Sequence, residues 1–410
     1  MERNESMAQE ELRSQLIMKD VAMEDIHQFD ELLRYVFQIT QTDLDDSGYE
    51  EGELLRAKRP ILKNAQVIGW YHDDQLVSQI AIYPSEVNIF NKIFKMGGVT
   101  GVGTYPEYSN MGLMKELIVE SLKRMRDNKQ YISYLYPYSI PYYRKKGWEL
   151  ISDRLSFKIS DTQLQVEEIV NGQVKRCSID DADVGEIYRK FSLQTHGTLI
   201  RNDFYWDEYW RWENEEERIA AIYYDENDVA QGYLIYWIAK EVMHVKEIVT
   251  LSNHAWNGLW NFIVAHDSMV DEVRGFQYIN DPLSYKILDG YIKEVIEPYY
   301  MARIVDVEEF LKLYPFKETG FSFHIKVSDP LATWNERIFG IEWENETIKI
   351  SDQPVGEQLE TDIGTLTTML MGYKRPIYLY RNERIQCSKK LAEKLEAIIY
   401  DEKPYFSDYF

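Results

Sequence analysis

The stretch Val99-Thr-Gly-Val-Gly-Thr-Tyr-Pro-Glu-Tyr-Ser-Asn-Met-Gly-Leu-Met-Lys115 decides how this chain reads. Ile93, Phe94, Met96, Val99 and Val102 form an apolar run with glycines, which predicts a buried strand. Downstream, Leu113, Leu117, Ile118, Leu122 and Met125 recur at helical spacing, with Lys115, Glu116, Glu120, Lys123 and Arg124 between them. The turn is built of small, polar and glycine residues, and Ser109 or Asn110 is placed to cap the helix. A strand that enters a helix this way leaves backbone N–H groups unpaired at the positive end of the helix dipole. That is a cradle for an anion, and the usual anion is a pyrophosphate.

Working outward, residues Ile68 to Tyr83 read as two strands around an Asp73-Asp74 turn, and a second hairpin turns through Phe90-Asn91-Lys92. Tyr131 to Tyr136 is a further strand. Ser139 and Pro141 mark the start of a short helix, and Gly147 suits its C-terminal end.

The order then repeats. Ile219 to Tyr236 is again an aromatic strand, an Asp-rich turn and an apolar strand. Met243–Val249 and a helix with Trp256, Leu259, Trp260 and Ile263 follow. The cradle is missing, because Leu251-Ser-Asn-His-Ala-Trp-Asn-Gly-Leu-Trp260 is expected to crowd its one glycine with tryptophan. Arg201 to Trp212 reads as an amphipathic helix with aromatics inward and acids in water; the alternative is a surface for a cationic sugar. From about Met301 a strand leads to a helix capped by Asp306. Ser322–Val327 and Phe339–Ser351 alternate as strands, the latter turning near Asn345, and Asp362 caps a helix with Ile363, Leu366, Leu370 and Met371.

A chain of 410 residues, 45% hydrophobic and 14% aromatic, has room for two to three domains with proper cores. Its net charge of −23 argues against nucleic acid or an anionic membrane as partner. The acidity suits a cationic substrate, and serves solubility equally well. Cys177 and Cys387 lie far apart, so a reduced cytoplasmic protein is expected. The seven histidines form no HxxxH pair, and no metal site is expected. The charged opening residues carry no apolar core for a signal peptide, and no apolar run is long enough to span a membrane.

The cradle resembles the acetyl-CoA signature of the GNAT acetyltransferases: Arg or Gln, two residues, Gly, one residue, then Gly or Ala. Those positions fall on Ser109, Gly112 and Met114. Only Gly112 matches; Ser109 supplies no cation and Met114 is bulky, although the holding is mostly by backbone N–H. Pro137-Tyr-Ser-Ile-Pro-Tyr-Tyr-Arg-Lys-Lys-Gly-Trp148 and the closing Lys403-Pro-Tyr-Phe-Ser-Asp-Tyr-Phe410 narrow the resemblance to the Eis (enhanced intracellular survival) family, over essentially all of the chain from about Leu16. The resemblance implies an α+β chain of tandem GNAT folds followed by a sterol carrier protein-like α/β domain, divided at residues 1–158, 159–298 and 299–410. It implies a multi-specific, acetyl-CoA-dependent N-acetyltransferase of cationic amines such as aminoglycosides, working as a homo-oligomer, in this family often a hexamer. The third domain would position the chain's end; lipid binding is its alternative. Other readings are a protein-lysine or polyamine acetyltransferase, or a non-catalytic CoA- or lipid-binding module.

Acetyl transfer to an amine needs a base for the ammonium proton, a hydrogen bond to the thioester oxygen and an acid for the leaving thiolate. In the family a Tyr four residues before a Gly is the acid. Tyr143 and Gly147 have that spacing, with Tyr142 as the neighbouring alternative. A phenol, of pKa about 10, donates at neutral pH without a large shift. The family's base is the terminal carboxylate, here that of Phe410, with Tyr405, Phe406 and Tyr409 to anchor the tail and Asp408 to add negative potential. A free terminal carboxyl, of pKa about 3.5, is a weak base that burial would strengthen. The resemblance puts Val102, Gly103 and Thr104 on the pantetheine, Asn110, Met111, Gly112, Leu113, Met114 and Lys115 on the pyrophosphate, and Ser139 on the CoA arm.

Overall fold

The computed structural model describes residues 11–40, 42–43, 53–166, 168–211, 218–317, 321–344 and 347–410. The opening ten residues and the turn at Asn345 lie outside them.

The first sheet holds β1 (Leu16–Asp20), β2 (Gln66–His72), β3 (Gln75–Ile89), β4 (Lys92–Thr104), β5 (Ile132–Leu135) and β6 (Glu149–Leu150). The two expected hairpins are present. Asp73 turns the first, and Phe90 and Asn91 turn the second, all with positive φ. β4 runs parallel to β5 over Met96, Gly97 and Gly98 only. Past Gly98 it continues to Thr104, where among the described residues it pairs with β3 alone, so the sheet opens into a V. Helix α1 (Ile26–Phe37) covers one face of β4: a Cβ on Gly103 would lie 3.3 Å from Val36. Helix α2 (Leu113–Asp127) buries Leu117, Ile118, Leu122 and Met125 on the other face, and a short helix, α3 (Ile140–Arg144), follows β5.

The second sheet holds β7 (Asp153–Ser160), β8 (Gln173–Cys177), β9 (Ile219–Tyr224), β10 (Ala230–Ala239), β11 (Val242–Thr250), β12 (Glu272–Gln277) and β13 (Lys293–Pro298). It carries α4 (Ala182–Ser192), α5 (Asp203–Arg211) and α6 (Asn253–Val264). β14 (Met301–Ile304) then returns to the first sheet, where it pairs antiparallel with both β5 and β6. The sheets therefore do not follow the linear division. Residues 153–160, cut at 158 by the sequence reading, lie wholly in the second sheet, and Met301–Ile304, assigned to the third domain, completes the first. The physical reason is burial on both faces of β14. Met301, Ala302 and Ile304 pack in core, and the buried Arg303 pairs with Asp329 at 2.6 Å.

The last block is a four-stranded sheet of β15 (Phe323–Ser328), β16 (Ile338–Glu344), β17 (Thr347–Ser351) and β18 (Glu357–Asp362). Its helices α7 (Val307–Leu313) and α8 (Ile363–Leu370) start at the expected caps. Asp306 accepts the N–H of Glu309 and Asp362 that of Thr365. Among the described residues no helix is long and apolar enough to cross a membrane.

His196 ties the three parts together. Its ring stacks on Phe90 with centroids 3.6 Å apart, Nδ1 accepts the Phe90 N–H, and Nε2 donates to the Met371 carbonyl at 2.9 Å. Its own carbonyl accepts the N–H of Tyr405 in the tail. Burial pushes its pKa from 6.5 down to about 3. The unfolded chain therefore takes up this proton as pH falls through 6.5, whereas the folded chain refuses it until about 3, so stability drops with pH across that window. We expect His196→Gln, which keeps a donor, to flatten the pH dependence of the unfolding free energy between those values. Equal slopes in urea titrations of both chains would contradict this.

Candidate active site

The cradle is built by the backbone. Tyr105 to Gly112 link β4 to α2, and Gly112, at φ 77°, is the N-cap, not Ser109 or Asn110 as expected. Asn110 is left-handed as well, at φ 61°. Two such residues turn the chain so that successive N–H groups face one way. The first bond into the helix runs from the Glu116 N–H to the Gly112 carbonyl, and among the described residues the N–H groups of Asn110 to Lys115 meet no acceptor. A Cβ at Gly112 would touch nothing within 4 Å, so open space lies in front of the cradle. Met111 and Met114 pack against the core beneath α2, which takes Met114's bulk away from the anion site.

Lys115 stands at the cradle exposed, and Lys146, with Lys145 next to it, comes near Lys115 from the end of α3. Burial, then Lys115 and Lys145, push the Lys146 ammonium below its ordinary range. None of the three makes an ion pair among the described residues. The Arg144-Lys-Lys run is plain in the sequence, but its place beside the cradle is not. Spacing alone gives no sign that α3 ends beside α2.

Val102, Gly103 and Thr104 all lie on the length of β4 that β5 does not pair. Ser78 Oγ bonds the Gly103 carbonyl and Thr104 Oγ1, fixing the strand from its β3 side. Ser139 is the N-cap of α3, half-buried, and its hydroxyl bonds no described residue.

Tyr143 is buried at 7% exposure, in one core with Val99, Leu113 and Trp148, whereas Tyr142 is 37% exposed. The Tyr143 hydroxyl has no hydrogen-bond partner among the described residues. Burial, with a smaller contribution from Tyr142, raises its pKa above 10, which holds it as a protonated donor.

The chain's end reaches this place from the far side. The Phe410 ring packs on Gly98, the last residue of β4 that pairs with β5, and among Tyr83, Tyr205, Tyr300 and Phe406. The Phe410 N–H donates to Tyr300 Oη at 3.1 Å. Residue 410 is 6% exposed, and its carboxylate has no ion pair or hydrogen bond among the described residues. A carboxylate in apolar surroundings is a stronger base than one in water. Phe406 anchors the tail on Tyr134 and Tyr300, Tyr405 on Phe191 and Tyr278, and Tyr409 stays half-exposed beside Tyr136.

Asp408 does not serve as expected. It is buried and shares the Arg201 guanidinium, at 2.6 Å, with Glu247, so it belongs to a buried ion network and not to the exposed surface. Arg201, expected on the amphipathic helix, precedes α5 and lies in the core; no local pattern marks it. Tyr205 of α5 is buried, and Asp203 and Asp207 are exposed, as an amphipathic helix requires.

Gly98 admits a sharp test. A Cβ there would stand 2.7 Å from the Phe410 ring, and the sheet on both sides prevents β4 from retreating. We expect Gly98→Ala to displace the tail, cost about 1–3 kcal/mol of stability and lower kcat more than about 10-fold. Native Tm and kcat would contradict the packing described.

Among the described residues the second sheet has no such cradle. Only Leu251 and Ser252 separate β11 from α6, and Ser252 Oγ caps the helix by accepting the Ala255 N–H. Gly258 faces the ring of Tyr223, not the tryptophans that were expected to crowd it; Trp256 and Trp260 stack on one another. Among the described residues no group of His, Cys, Asp and Glu is gathered to hold a metal.

Aromatic side chains stand near the open end of the V. Tyr35 meets Tyr105 at 5.3 Å and Phe37 meets Tyr138 at 6.4 Å, all four at least partly exposed. Burial, then Glu31 and Glu107, raise the Tyr105 pKa, which sets two carboxylates beside this rim.

Residues 18–151 match the model of an acetyltransferase (GNAT) domain, residues 197–304 a second acetyltransferase (GNAT) domain, and residues 307–407 a sterol carrier protein domain. No curated protein matches this sequence. A conserved protein of unknown function from Enterococcus faecalis V583, described as a probable N-acyltransferase, is 27% identical; it superposes with TM-score 0.87 over 96% of this chain and 99% of that one. A GCN5-related N-acetyltransferase from Anabaena variabilis is 24% identical, with TM-score 0.84 over 96% and 100%. Eis1 from Mycobacterium abscessus shares the fold at 16% identity, with TM-score 0.78 over 96% and 100%.

Proposed function

We propose that this chain, an acyltransferase with two GNAT acetyltransferase domains and a sterol carrier protein domain on the fold of Eis, transfers acetyl groups from acetyl-CoA to amines of small cationic molecules. Three observations support this reading: the N–H groups of Asn110 to Lys115 meet no acceptor among the described residues, Tyr143, whose hydroxyl has no partner among them, shares a core with Val99, and the Phe410 ring packs on Gly98, where β5 leaves β4.

The residues present fit a pyrophosphate: the N–H groups from Asn110 to Lys115 would receive it, and Lys115, Lys145 and Lys146 would offset its charge. Bound acetyl-CoA supplies an activated thioester. The open edge of β4 between Val99 and Thr104 would take the pantetheine arm, and an N–H there would bond the thioester oxygen as negative charge develops on it. The Phe410 carboxylate takes a proton from the incoming ammonium, directly or through a water, and frees its lone pair. Tyr143 gives its hydroxyl proton to the departing sulfur. The aromatic rim with Glu31 and Glu107, on a chain of net charge −23, suits a cationic acceptor.

The test offers acetyl-CoA with polyamines and aminoglycosides in competition with lysine peptides, and locates the acetyl group by mass spectrometry. We expect it on the small amines. Acetylation confined to the peptides would replace this reading with a protein-lysine acetyltransferase, and CoA binding without any acetylation would replace it with a binding module.

A further inference from the structure

Arg201 is the most completely buried charge near the tail, with its side chain at 0% exposure. Its Nε meets Asp408 Oδ1 at 2.6 Å, and Nη1 and Nη2 meet the two oxygens of Glu247 at 3.1 and 2.8 Å. The Tyr188 ring lies against the guanidinium at 3.8 Å, and Tyr233 Oη donates to Glu247 at 2.6 Å. Ser407 Oγ, from the tail, donates to the same Glu247. Tyr299 Oη donates to the Asp408 carbonyl at 2.9 Å. Apart from Asp408, Ser407 and Tyr299, all of these groups come from the middle part of the chain, Tyr188 from α4, Arg201 from the entry to α5, Tyr233 from β10 and Glu247 from β11.

Stability does not explain this arrangement. One buried cation against two buried carboxylates carries a net charge, and apolar side chains of similar volume usually hold a core as well or better. What such a network adds is position. Asp408 stands two residues before the terminus, and two residues reach at most about 7 Å. Holding Asp408 thus confines the Phe410 carboxylate to a small region.

We propose that Arg201 is a positioning residue for acetyl transfer, acting through Asp408 to hold the terminal carboxylate at the V of the first sheet. The second GNAT domain, closed to cofactor, is then the clamp of the first domain's base. This rests on Phe410 being that base.

The test compares Asp408→Ala in the full chain and in a chain extended beyond Phe410. We expect the substitution to lower kcat on the order of 10- to 100-fold in the native chain, with the KM for acetyl-CoA changed less than about twofold. Asp408→Asn, which still accepts from Arg201, should recover part of the loss. In the extended chain, where the carboxylate is already misplaced, Asp408→Ala should cost nothing further. Carboxypeptidase should shorten the Asp408→Ala tail faster than the native one. An unchanged kcat, an equal loss in both backgrounds or an equally protected tail would overturn the proposal. If extension alone leaves kcat intact, the terminal base fails instead, and the carboxypeptidase comparison still judges the clamp. A triple variant, Arg201→Met with Glu247→Met and Asp408→Leu, separates position from folding. It should keep a native Tm and lose kcat, and native kcat in it would also overturn the proposal.

Discussion

Extending the chain by a few neutral residues beyond Phe410 should lower kcat by roughly 10²- to 10⁴-fold, the usual worth of a general base. The extension converts the terminal carboxylate into a peptide carbonyl, which accepts a hydrogen bond but takes no proton. It also has to leave a place lined by Tyr83, Tyr205, Tyr300 and Phe406, where the terminal residue is 6% exposed. The cradle from Asn110 to Lys115 lies on the loop into α2 and its first turn, so acetyl-CoA affinity by calorimetry should stay within about threefold. The residual rate should rise steeply with pH, because the acceptor must then lose its proton to solvent. A kcat within threefold of native would remove the terminal carboxylate from the mechanism.

Tyr143→Phe should lower kcat on the order of 100-fold or more while acetyl-CoA still binds. The hydroxyl has no partner among the described residues, so deleting it breaks no structural hydrogen bond, and Tm should hold or rise. That makes the variant a clean probe of proton donation. Because burial raises the phenol's pKa above 10, the native enzyme should not lose its acid across neutral and mildly alkaline pH; any fall in rate there would have another origin. Tyr142→Phe is the control: Tyr142 is 37% exposed at the edge of α3 and should stay near native activity. If Tyr142→Phe were the dead variant, the assignment of the two tyrosines would be reversed.

Much of this architecture is legible in the sequence because it is local. The hairpins at Asp73 and Asn91, the strand into α2, and the caps at Asp306 and Asp362 each rest on a few neighbouring residues. The cap of α2 differs from the expected Ser or Asn, which fill that role through their side chains, whereas here left-handed Gly112 keeps the N–H groups free. β14 was legible as a strand but not as a member of the first sheet, since periodicity does not say which edge a strand joins. Asp408 and Arg201 are 207 residues apart, and each alone looks like a surface charge. Their pairing becomes visible only when the tail is seen passing between the two GNAT sheets.

The most direct test is a crystal structure of the chain with CoA and a polyamine bound. The account predicts pyrophosphate oxygens on the N–H groups of Asn110 to Lys115, the sulfur within hydrogen-bond reach of Tyr143 Oη, and an acceptor nitrogen facing the Phe410 carboxylate directly or through one water. CoA bound elsewhere, or a sulfur held away from both Tyr143 and the chain's end, would contradict it.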